Sequence, residues 1–489
     1  MPGAFPVENG KKETMDHAHT PETAQPDAAL TGAVLADVAA LRGRVRGPVF
    51  LPDEDGYADD CAGFQTAYQQ RPSIVVGAVD AADVRAAVEF ARAHGLSVAV
   101  QATGHGLADS TEGGLLISTR RMAGVRVDPA TRTALVDAGT RWAQVIEAAA
   151  PHGLAPLSGS SPTVGAVSYV LGGGVGLLAR RYGHAADHVR RIDVVTADGQ
   201  LRQVTAERDA DLFWALRGGQ GNFGVVTGME IDLVPVARLY GGGLVFDTPL
   251  IPEVLRTWLE WTTTLPDALT SSVGLIPFPD VPDVPEPMRG RFVAQVSVAY
   301  AGDAAEGERL VAPLRAIGPR LADTLTDMPY SDSAAVHNDP THPHAYHSTN
   351  VLLRDLDASA VPAILAVAAP DSPAPCVVQL RHLGGALGRP PAVPNAVSHR
   401  EARYAVGALT FAVAPGAPID QKAHQRLAES LGGAALGHAP NFLLGGNPTA
   451  EEIRAGFDAA TYQRLAAVKA TYDPRNMFRH NQNIPPAVR

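Results

Sequence analysis

A histidine enclosed by glycines is the first feature of this sequence that could take part in chemistry. His105 lies between Gly104 and Gly106, and Glu112 is followed by two further glycines. Glycine lets backbone N–H groups approach a diphosphate closely, and consecutive N–H groups form an anion cradle. A neutral imidazole in such a loop would lie beside the bound ligand and is a competent nucleophile near pH 7. A structural or solvated histidine is the competing interpretation of His105 alone.

A second glycine-rich stretch runs from Ser158 to Gly176. Packing explains two dense glycine loops poorly, because glycine weakens regular structure by roughly 0.5–1 kcal/mol per site. Residues 174–179 match the relaxed fingerprint of a Rossmann NAD site, with Asp198 at about the right distance. However, that fingerprint should follow the first strand of a βαβ unit, and here it lies late in the chain. The glycines therefore favour a cradle for a different cofactor, with the NAD site as the alternative.

The pattern of apolar residues predicts the elements that position His105. A strand at 74–76 precedes a helix with Asp80 as its N-cap and Gly95 as its stop. A second strand at 96–100 then leads into the loop that contains His105. This βαβ unit places the loop at a strand end, where α/β sheets usually bind ligands.

The rest of the chain divides into a hairpin, a long middle region and a helical end. Asp198 and Gly199 form a strong hairpin signal. Between 240 and 437, strands alternate with helices, which is typical of an α+β domain with an antiparallel sheet. The predicted strands there are 292–300, 375–382 and 406–413, and the predicted helices are 252–263, 304–317 and 358–367. Residues 451–472 are predicted to be helical.

Size and charge exclude several classes of protein. A chain of 489 residues is too long for one ordinary core. The net charge of −11 argues against nucleic acid or an anionic membrane as a partner, so a small-molecule substrate is expected. No apolar run approaches the ~20 residues that a membrane helix requires. Residues 1–30 are interpreted as a disordered tail rather than a signal peptide, which predicts a cytoplasmic protein.

Cysteine content limits the kinds of metal site and crosslink. Only Cys61 and Cys376 are present, which excludes a disulfide framework and any four-cysteine zinc or iron–sulfur site. A single bridge between these two cysteines and a pair of unpaired thiols remain as alternatives.

Several motifs, taken in their order along the chain, resemble a known family. They are His105 in its glycine loop, Ser161 to Gly165, Gly172 to Gly176, Arg181 to Gly183, Asp187, Asp211 to Gly219, Arg381 to Ala386, Tyr472 to Phe478 and Asn481 to Pro485. Together they resemble the vanillyl-alcohol-oxidase-type flavoproteins, in particular the berberine-bridge-enzyme-like branch. The resemblance extends from about residue 45 to the end of the chain.

The resemblance implies a fold of the α+β class and FAD as the cofactor. A PCMH-type FAD-binding domain of two α/β subdomains would be formed by both chain ends, at 31–237 and 438–489. An α+β substrate domain with an antiparallel sheet would occupy 238–437. His105 matches the histidine that bonds the 8α-methyl carbon of the flavin. The residues expected to contact FAD are Thr103, Gly104, His105, Gly106, Leu107, Ser161, Thr163, Val164, Gly165, Gly173, Gly174, Gly176, Gly183, Val225, Val226, Asn481 and Asn483.

The sequence departs from the family pattern at three positions. Ser161 stands where many relatives carry a second flavin-linking cysteine, so one covalent link is expected; its hydroxyl would bond the flavin or only fill space. Ala439 stands where relatives commonly carry a tyrosine that helps deprotonate an alcohol. Gln379 stands where relatives often carry a glutamate, and glutamine cannot act as a general base near pH 7.

Other side chains are candidates for the missing base. In a strand, Gln379 and Arg381 share one face and His382 lies on the other. Tyr346 belongs to a histidine-rich segment at 337–347, predicted to be a loop that approaches the flavin. The catalytic candidates are therefore Gln379, Arg381, His382 and Tyr346. A solvated loop and a metal cluster are the other interpretations of that segment, although no carboxylate spacing supports a metal.

Three functions are compatible with these residues. The first is an oxidase that transfers a hydride from a natural-product intermediate, sugar or related alcohol or amine to flavin, with O2 as acceptor. The second is a flavin-dependent cyclisation or rearrangement enzyme of secondary metabolism, which the altered base set favours. The third is a flavin-binding remnant without activity, which the intact glycine loops disfavour. A monomer or homodimer is expected for each of the three.

Overall fold

The computed structural model describes residues 32–488 except 283, 369–375 and 413–418. The predicted tail at 1–30 lies outside the described residues. The helices are α1 (Gly32–Arg44), α2 (Tyr57–Cys61), α3 (Ala81–His94), α4 (Trp142–Ala149), α5 (Ala166–Leu171), α6 (Ala179–Tyr182), α7 (Ala210–Leu216), α8 (Ile251–Thr262), α9 (Ala304–Arg315), α10 (Val361–Ala368), α11 (Lys422–Leu431), α12 (Ala450–Ala455) and α13 (Ala459–Tyr472).

The strands form three sheets. They are β1 (Val49–Phe50), β2 (Ile74–Gly77), β3 (Val98–Gln101), β4 (Leu115–Ser118), β5 (Val125–Asp128), β6 (Thr133–Asp137), β7 (Val189–Val195), β8 (Leu201–Val204), β9 (Val225–Asp232), β10 (Arg238–Asp247), β11 (Leu269–Pro277), β12 (Phe292–Tyr300), β13 (Ala322–Asp323), β14 (Thr326–Pro329), β15 (Tyr346–Leu353), β16 (Val377–His382), β17 (Tyr404–Phe411) and β18 (Ala435–Gly437).

The first sheet contains the predicted βαβ unit. Its strand order is β1-β2-β4-β3, and β2, β4 and β3 run parallel. The Asp80 carboxylate caps α3 by accepting from the N–H groups of Ala82 and Asp83, and Gly95 ends the helix with φ of 67°. Both helix signals are therefore confirmed. The sequence pattern did not predict β4, which lies between the two predicted strands.

The second sheet is antiparallel and joins the two ends of the chain. Its order is β5-β6-β9-β7-β8, and β7 and β8 form the hairpin predicted at Asp198 and Gly199. Leu465 of α13 and Ile484 pack into the core beneath this sheet, while Met477 and Phe478 pack into the core of the first sheet. The segment from α13 to Ile484 thus packs into the cores of the first two sheets.

The third sheet has nine antiparallel strands. Its main path is β13-β10-β12-β11-β16-β17-β15-β18, and β14 pairs with β10. The helices α8 to α11 cover one face, which buries residues such as Trp258, Val296 and Leu380 in a separate core. The strand predicted at 292–300 is confirmed as β12. The loop prediction for 337–347 is wrong at its end, because Tyr346 and His347 begin β15.

Two further expectations concern cysteines and membranes. Cys61 and Cys376 are both free thiols, so the alternative of a bridge between them is wrong. Within the described ranges, no helix combines the length and the apolar character needed to cross a bilayer.

Candidate active site

A cleft of about 140 Å³ lies between the two sheets formed by the chain ends. We call it the inter-sheet cleft. It is lined by β3, the loop that follows β3, α5, the start of β9 and the segment 478–481. Leu107, Val226 and Asn481, three of the residues expected to contact the cofactor, line it directly. Two segments far apart in sequence therefore enclose one binding space.

The glycine loop after β3 has the geometry of an anion cradle. Gly104 has φ of 69°, and a Cβ there would lie 2.6 Å from the Cα of Gly63. The carbonyl groups of Thr103 and Gly104 accept from the N–H groups of Phe64 and Gln65 at 2.9 and 3.0 Å. In the described part of the chain, the N–H groups of residues 104–106 donate to no protein acceptor. This arrangement ties the carbonyls back and leaves consecutive donors for an anionic ligand.

Polar side chains around the inter-sheet cleft also fit a dinucleotide. Gln70 lines the cleft, and its buried Oε1 has no hydrogen-bond partner among the described residues. The Asn481 Oδ1 accepts from the N–H of Ala108 at 2.7 Å, which ties the C-terminal segment to the glycine loop. A buried polar atom without a partner is costly, and FAD would supply one here.

The His105 imidazole is held in place by a ring and a hydroxyl. It stacks on Phe64 with ring centroids 3.6 Å apart and an interplanar angle of 15°. Its Nε2 lies 2.9 Å from the Thr163 Oγ1, which in turn lies 2.9 Å from the Ser161 Oγ. Its Nδ1 has no hydrogen-bond partner among the described residues. Burial lowers the pKa of His105 to about 3, so the ring is neutral and nucleophilic at pH 7.

A larger cavity of about 450 Å³ lies on the uncovered face of the nine-stranded sheet. We call it the sheet cavity. Strands β11, β12, β15, β16 and β17 line one side, and Phe64, His105 and Ser161 line the other. Since His105 belongs to the loop that also borders the inter-sheet cleft, this histidine lies where the two spaces approach each other.

The sheet side of this cavity is built from two cross-strand rows. The first runs Gln295, Gly274, Gln379, Gly407, Asn350 across β12, β11, β16, β17 and β15. The second runs Ser297, Ser272, Arg381, Ala405 across four of the same strands. Residues paired across antiparallel strands point to the same face. Amides, hydroxyls and one guanidinium are thereby collected from distant parts of the sequence.

Gln379 and Arg381 point into the sheet cavity, and His382 does not. The Arg381 Nη2 donates to the Gln379 Oε1 at 2.6 Å, and its guanidinium lies 4.5 Å from the centroid of the Phe442 ring. The His382 Nε2 lies instead 2.9 Å from Arg180 in the protein interior. Burial lowers the pKa of His382 to about 3. The structure thus separates this catalytic candidate from the cavity.

Tyr346 borders the sheet cavity, but its hydroxyl is already used. The Tyr346 OH donates to the His105 backbone carbonyl at 2.6 Å, and burial raises the pKa of the phenol well above its usual value. His337 also lines the cavity, and no hydrogen bond within the described residues engages its imidazole. Burial lowers the pKa of His337 to about 4.

Among the described residues, no group of three or more His, Cys, Asp or Glu could hold a metal ion.

The glycines at 172–176 lie outside both spaces. A Cβ at Gly174 would meet the Tyr169 ring at 2.5 Å, and a Cβ at Gly176 would lie 2.0 Å from the Ser158 carbonyl oxygen. Gly173 and Gly183 likewise line neither the cleft nor the cavity. The expectation that packing explains these glycines poorly is therefore corrected, since close packing requires at least two of them.

The remaining cofactor candidates surround the loop that carries His105. Gly165 is the N-cap of α5, and a Cβ there would lie 3.6 Å from the Thr103 hydroxyl. Val164 packs against the core of the second sheet. Val225 is wholly buried, and the Asn483 Oδ1 is buried with no hydrogen-bond partner among the described residues. Phe64 was missed because a lone phenylalanine carries no local signal for stacking on a histidine.

Comparison with known proteins identifies the family to which this chain belongs. An "FAD binding domain" model matches residues 72–205, and a "Berberine and berberine like" model matches residues 457–485. The chain is 31% identical over 457 residues to (R)-6-hydroxynicotine oxidase of Paenarthrobacter nicotinovorans, covering 90% of this chain and 97% of the relative. The chain belongs to the berberine-bridge-enzyme-like family of FAD-linked oxidases. It is an FAD-dependent oxidoreductase with a PCMH-type fold.

Solved structures agree with this family fold. The structure of 6-hydroxy-D-nicotine oxidase from Arthrobacter nicotinovorans superposes with a TM-score of 0.79 at 27% identity, covering 91% of this chain and 98% of that one. Glucooligosaccharide oxidase from Acremonium strictum, which carries 6-S-cysteinyl, 8α-N1-histidyl FAD, superposes with a TM-score of 0.80 at 20% identity. It covers 93% of this chain and 100% of its own, and at that identity it shows the fold alone.

Proposed function

We propose that this chain oxidises a small, largely apolar organic molecule in the sheet cavity and passes the electrons to O2. Bound FAD would supply the hydride acceptor, and the protein would position and tune it. The observation that carries the proposal is the position of His105, which lies in the glycine loop that borders the inter-sheet cleft and also lines the sheet cavity. A volume of about 450 Å³ lies within the roughly 300–1,000 Å³ typical of small-molecule sites.

We infer that His105 forms the single covalent link to FAD through its Nδ1. Thr163 occupies the Nε2, so Nδ1 is the nitrogen left to react. Ser161, which is hydrogen-bonded to Thr163, has no thiol with which to form a second link. The neutral state of His105 keeps its lone pair available at pH 7.

The lining of the sheet cavity favours an aromatic or aliphatic substrate over a fully polar one. Phe64, Phe278, Tyr346, Phe411 and Phe442 all line it, together with aliphatic residues. Aromatic and aliphatic walls with a few placed polar groups are typical of sites for small organic ligands. The proposal therefore ranks such a substrate above an oligosaccharide.

His337 is the proposed acceptor for the substrate proton. It is neutral at pH 7 and lines the cavity beside Ser297 and Arg381, whereas His382 and Tyr346 are engaged elsewhere. Replacing His337 with Gln should slow flavin reduction by roughly 10²- to 10⁴-fold. His342→Gln is the matched control, because this exposed histidine lines neither space.

The function can be tested with the FAD-loaded protein and a panel of aryl alcohols, aryl amines and sugars. The expected result is anaerobic bleaching of the flavin by at least one panel member and release of hydrogen peroxide in air. A product that contains a new ring, rather than a carbonyl or an imine, would instead support the cyclisation enzyme, with peroxide released in air in either case. A flavin that only dithionite can reduce, with no effect of the panel, would contradict the proposal.

A further inference from the structure

Arg381 carries the one guanidinium among the described residues that line the sheet cavity. Its neighbours in the cross-strand row are Ser272 and Ala405, and neither is charged. Among the described residues, Arg381 forms no ion pair, and its side-chain contacts are the Gln379 Oε1 and the Phe442 ring. Among the described residues that line the cavity, Asp339 is the one carboxylate, and it acts on Arg381 through its charge without a direct contact. An arginine guanidinium stays charged in proteins, so the cavity holds a cation that no described residue pairs with.

The Gln379 side chain places further hydrogen-bond donors beside the Arg381 guanidinium. Its Oε1 accepts from Arg381, which leaves the two N–H groups of its Nε2 to point elsewhere. The other amides of the row are occupied: the Asn350 Nδ2 donates to the Ala439 carbonyl at 3.0 Å, and the Gln295 Nε2 donates to the His337 carbonyl at 3.4 Å. Within this row, Gln379 is thus the amide whose side-chain nitrogen has no protein acceptor among the described residues, and it lies directly beside Arg381.

The sheet also leaves room for a ligand at this point. Gly274 is the direct neighbour of Gln379 on β11, and it lines the cavity. A Cβ at Gly274 would meet only Ile276, at 3.5 Å, so packing does not require glycine here. Glycine inside a strand is unfavourable and often marks the close approach of a ligand. The space beside Gln379 is open for that reason.

We propose that Arg381 and Gln379 bind a carboxylate of the substrate, so that the substrate class is an aromatic or aliphatic acid. This inference rests on the proposed function and specifies its substrate. A planar guanidinium presents paired N–H donors that match the two oxygens of a carboxylate. Ser272 and Ser297, both nearly buried in the same row, add hydroxyl donors at its edge. The carboxylate would give Arg381 an ion-pair partner, which no described residue supplies.

Two probes of the same shape test the assignment on the FAD-loaded protein. Naphthalene-2-carboxylate and naphthalene-2-carboxamide would be titrated by calorimetry, with the flavin absorption spectrum as a second readout. The carboxylate should bind roughly 10- to 100-fold more tightly, as expected for hydrogen bonds to a charged group. Equal affinities, or no measurable binding of the carboxylate, would overturn the proposal.

Three variants locate the effect. Arg381→Met should abolish the preference for the carboxylate. Gln379→Glu keeps the shape but pairs Arg381 within the protein, so it should weaken the carboxylate by about tenfold or more and spare the carboxamide. Arg354→Met removes an exposed arginine paired with Glu401 and should leave both affinities unchanged. Retained preference in both Arg381→Met and Gln379→Glu would refute the assignment.

The same measurements separate this inference from the oxidase proposal and from a role towards the cofactor. Peroxide release with equal binding of both probes would leave the oxidase intact and reject the acid as substrate. Selective binding of the carboxylate to a protein whose flavin no panel member reduces would support the acid as the ligand of Arg381 and reject the oxidase. If Arg381→Met changed the flavin spectrum but preserved the probe preference, Arg381 would serve FAD and the substrate assignment would fail.

Discussion

The inter-sheet cleft and the sheet cavity are built by different parts of the backbone. The cleft is bordered by Ala102 and Leu107, the two ends of one short loop, and the glycines and N–H donors between them are neighbours in sequence. The cavity depends on strand register, which brings Gln295, Gly274 and Gln379 into one row from three separate strands. The loop is therefore specified by residues adjacent in sequence, whereas the polar groups of the cavity come together only through strand pairing.

The largest expected effect is the loss of covalent flavin attachment in His105→Ala, which tests the cofactor region. In His105→Ala, the flavin should be released completely when the protein is denatured in acid, because the proposed bonding atom is gone. The absorption spectra of pellet and supernatant provide the measurement. His342→Ala, at an exposed position, should keep the flavin in the pellet. Flavin still attached in His105→Ala would show that another residue forms the link.

Lys469 tests whether the cleft needs the C-terminal segment. Its Nζ pairs with Asp473 at 2.7 Å and donates to the carbonyls of Asn222 and Phe478, and both charged residues are fully buried. Lys469→Met leaves the Asp473 charge uncompensated, which should cost about 3–5 kcal/mol in the free energy of unfolding. Urea unfolding measures this cost. The exposed Lys422→Met is the control and should stay within ~0.5 kcal/mol of the parent. A similar small change at Lys469 would contradict the argument.

A pair of Gly→Ala variants compares the two regions directly. Gly176→Ala places a Cβ 2.0 Å from the Ser158 carbonyl oxygen, and the backbone shift should cost about 1–3 kcal/mol or more. Gly274→Ala meets only ordinary contacts, so it should gain up to about 1 kcal/mol of stability.

The two glycine variants also differ in their expected effect on ligands. Gly274→Ala narrows the sheet cavity beside Gln379 and should weaken naphthalene-2-carboxylate binding while the protein becomes more stable. Thermal unfolding and the probe titration give the two values. Stability changes of the same sign in both variants would contradict the argument that Gly176 is required by close packing and that Gly274 only leaves space for a ligand.

Tyr346→Phe has the smallest expected effect. Losing the hydrogen bond to the His105 carbonyl should cost about 1 kcal/mol and slow covalent attachment of FAD, measured as in-gel flavin fluorescence over time. Flavin reduction by substrate should change less than about tenfold. A loss of 10²-fold or more, with a changed pH profile, would instead identify Tyr346 as the proton acceptor.

Sequence patterns predicted the cofactor half better than the substrate half. The helix between Asp80 and Gly95, the hairpin at Gly199 and the loop at His105 depend on neighbours within a few residues, so their signals are local. β10, β11 and β15 were missed, and Tyr346 was assigned to a loop. The histidine- and proline-rich segment before β15 has no strand pattern, so the start of this strand was not predicted. Its pairing partner, β17, lies far along the chain.

The candidate base set shows the same division. Alternation along a strand correctly separates Gln379 and Arg381 from His382. Nothing in the order of residues indicates that the Tyr346 hydroxyl would be consumed by the His105 carbonyl, or that Phe64 would stack on His105. Such contacts join residues far apart in sequence, and only the packed chain brings them within bonding distance.

Taken by itself, the order of amino acids determined the cofactor class, the loop predicted to cradle it and the number of thiols available for linkage, because these depend on residue type and short spacing. The tertiary structure decided which polar groups remain unused in the sheet cavity. That outcome depends on strand register and on which donors find partners inside the protein. The packed chain also showed that close contacts require glycine at 174 and 176, where spacing alone suggested a ligand.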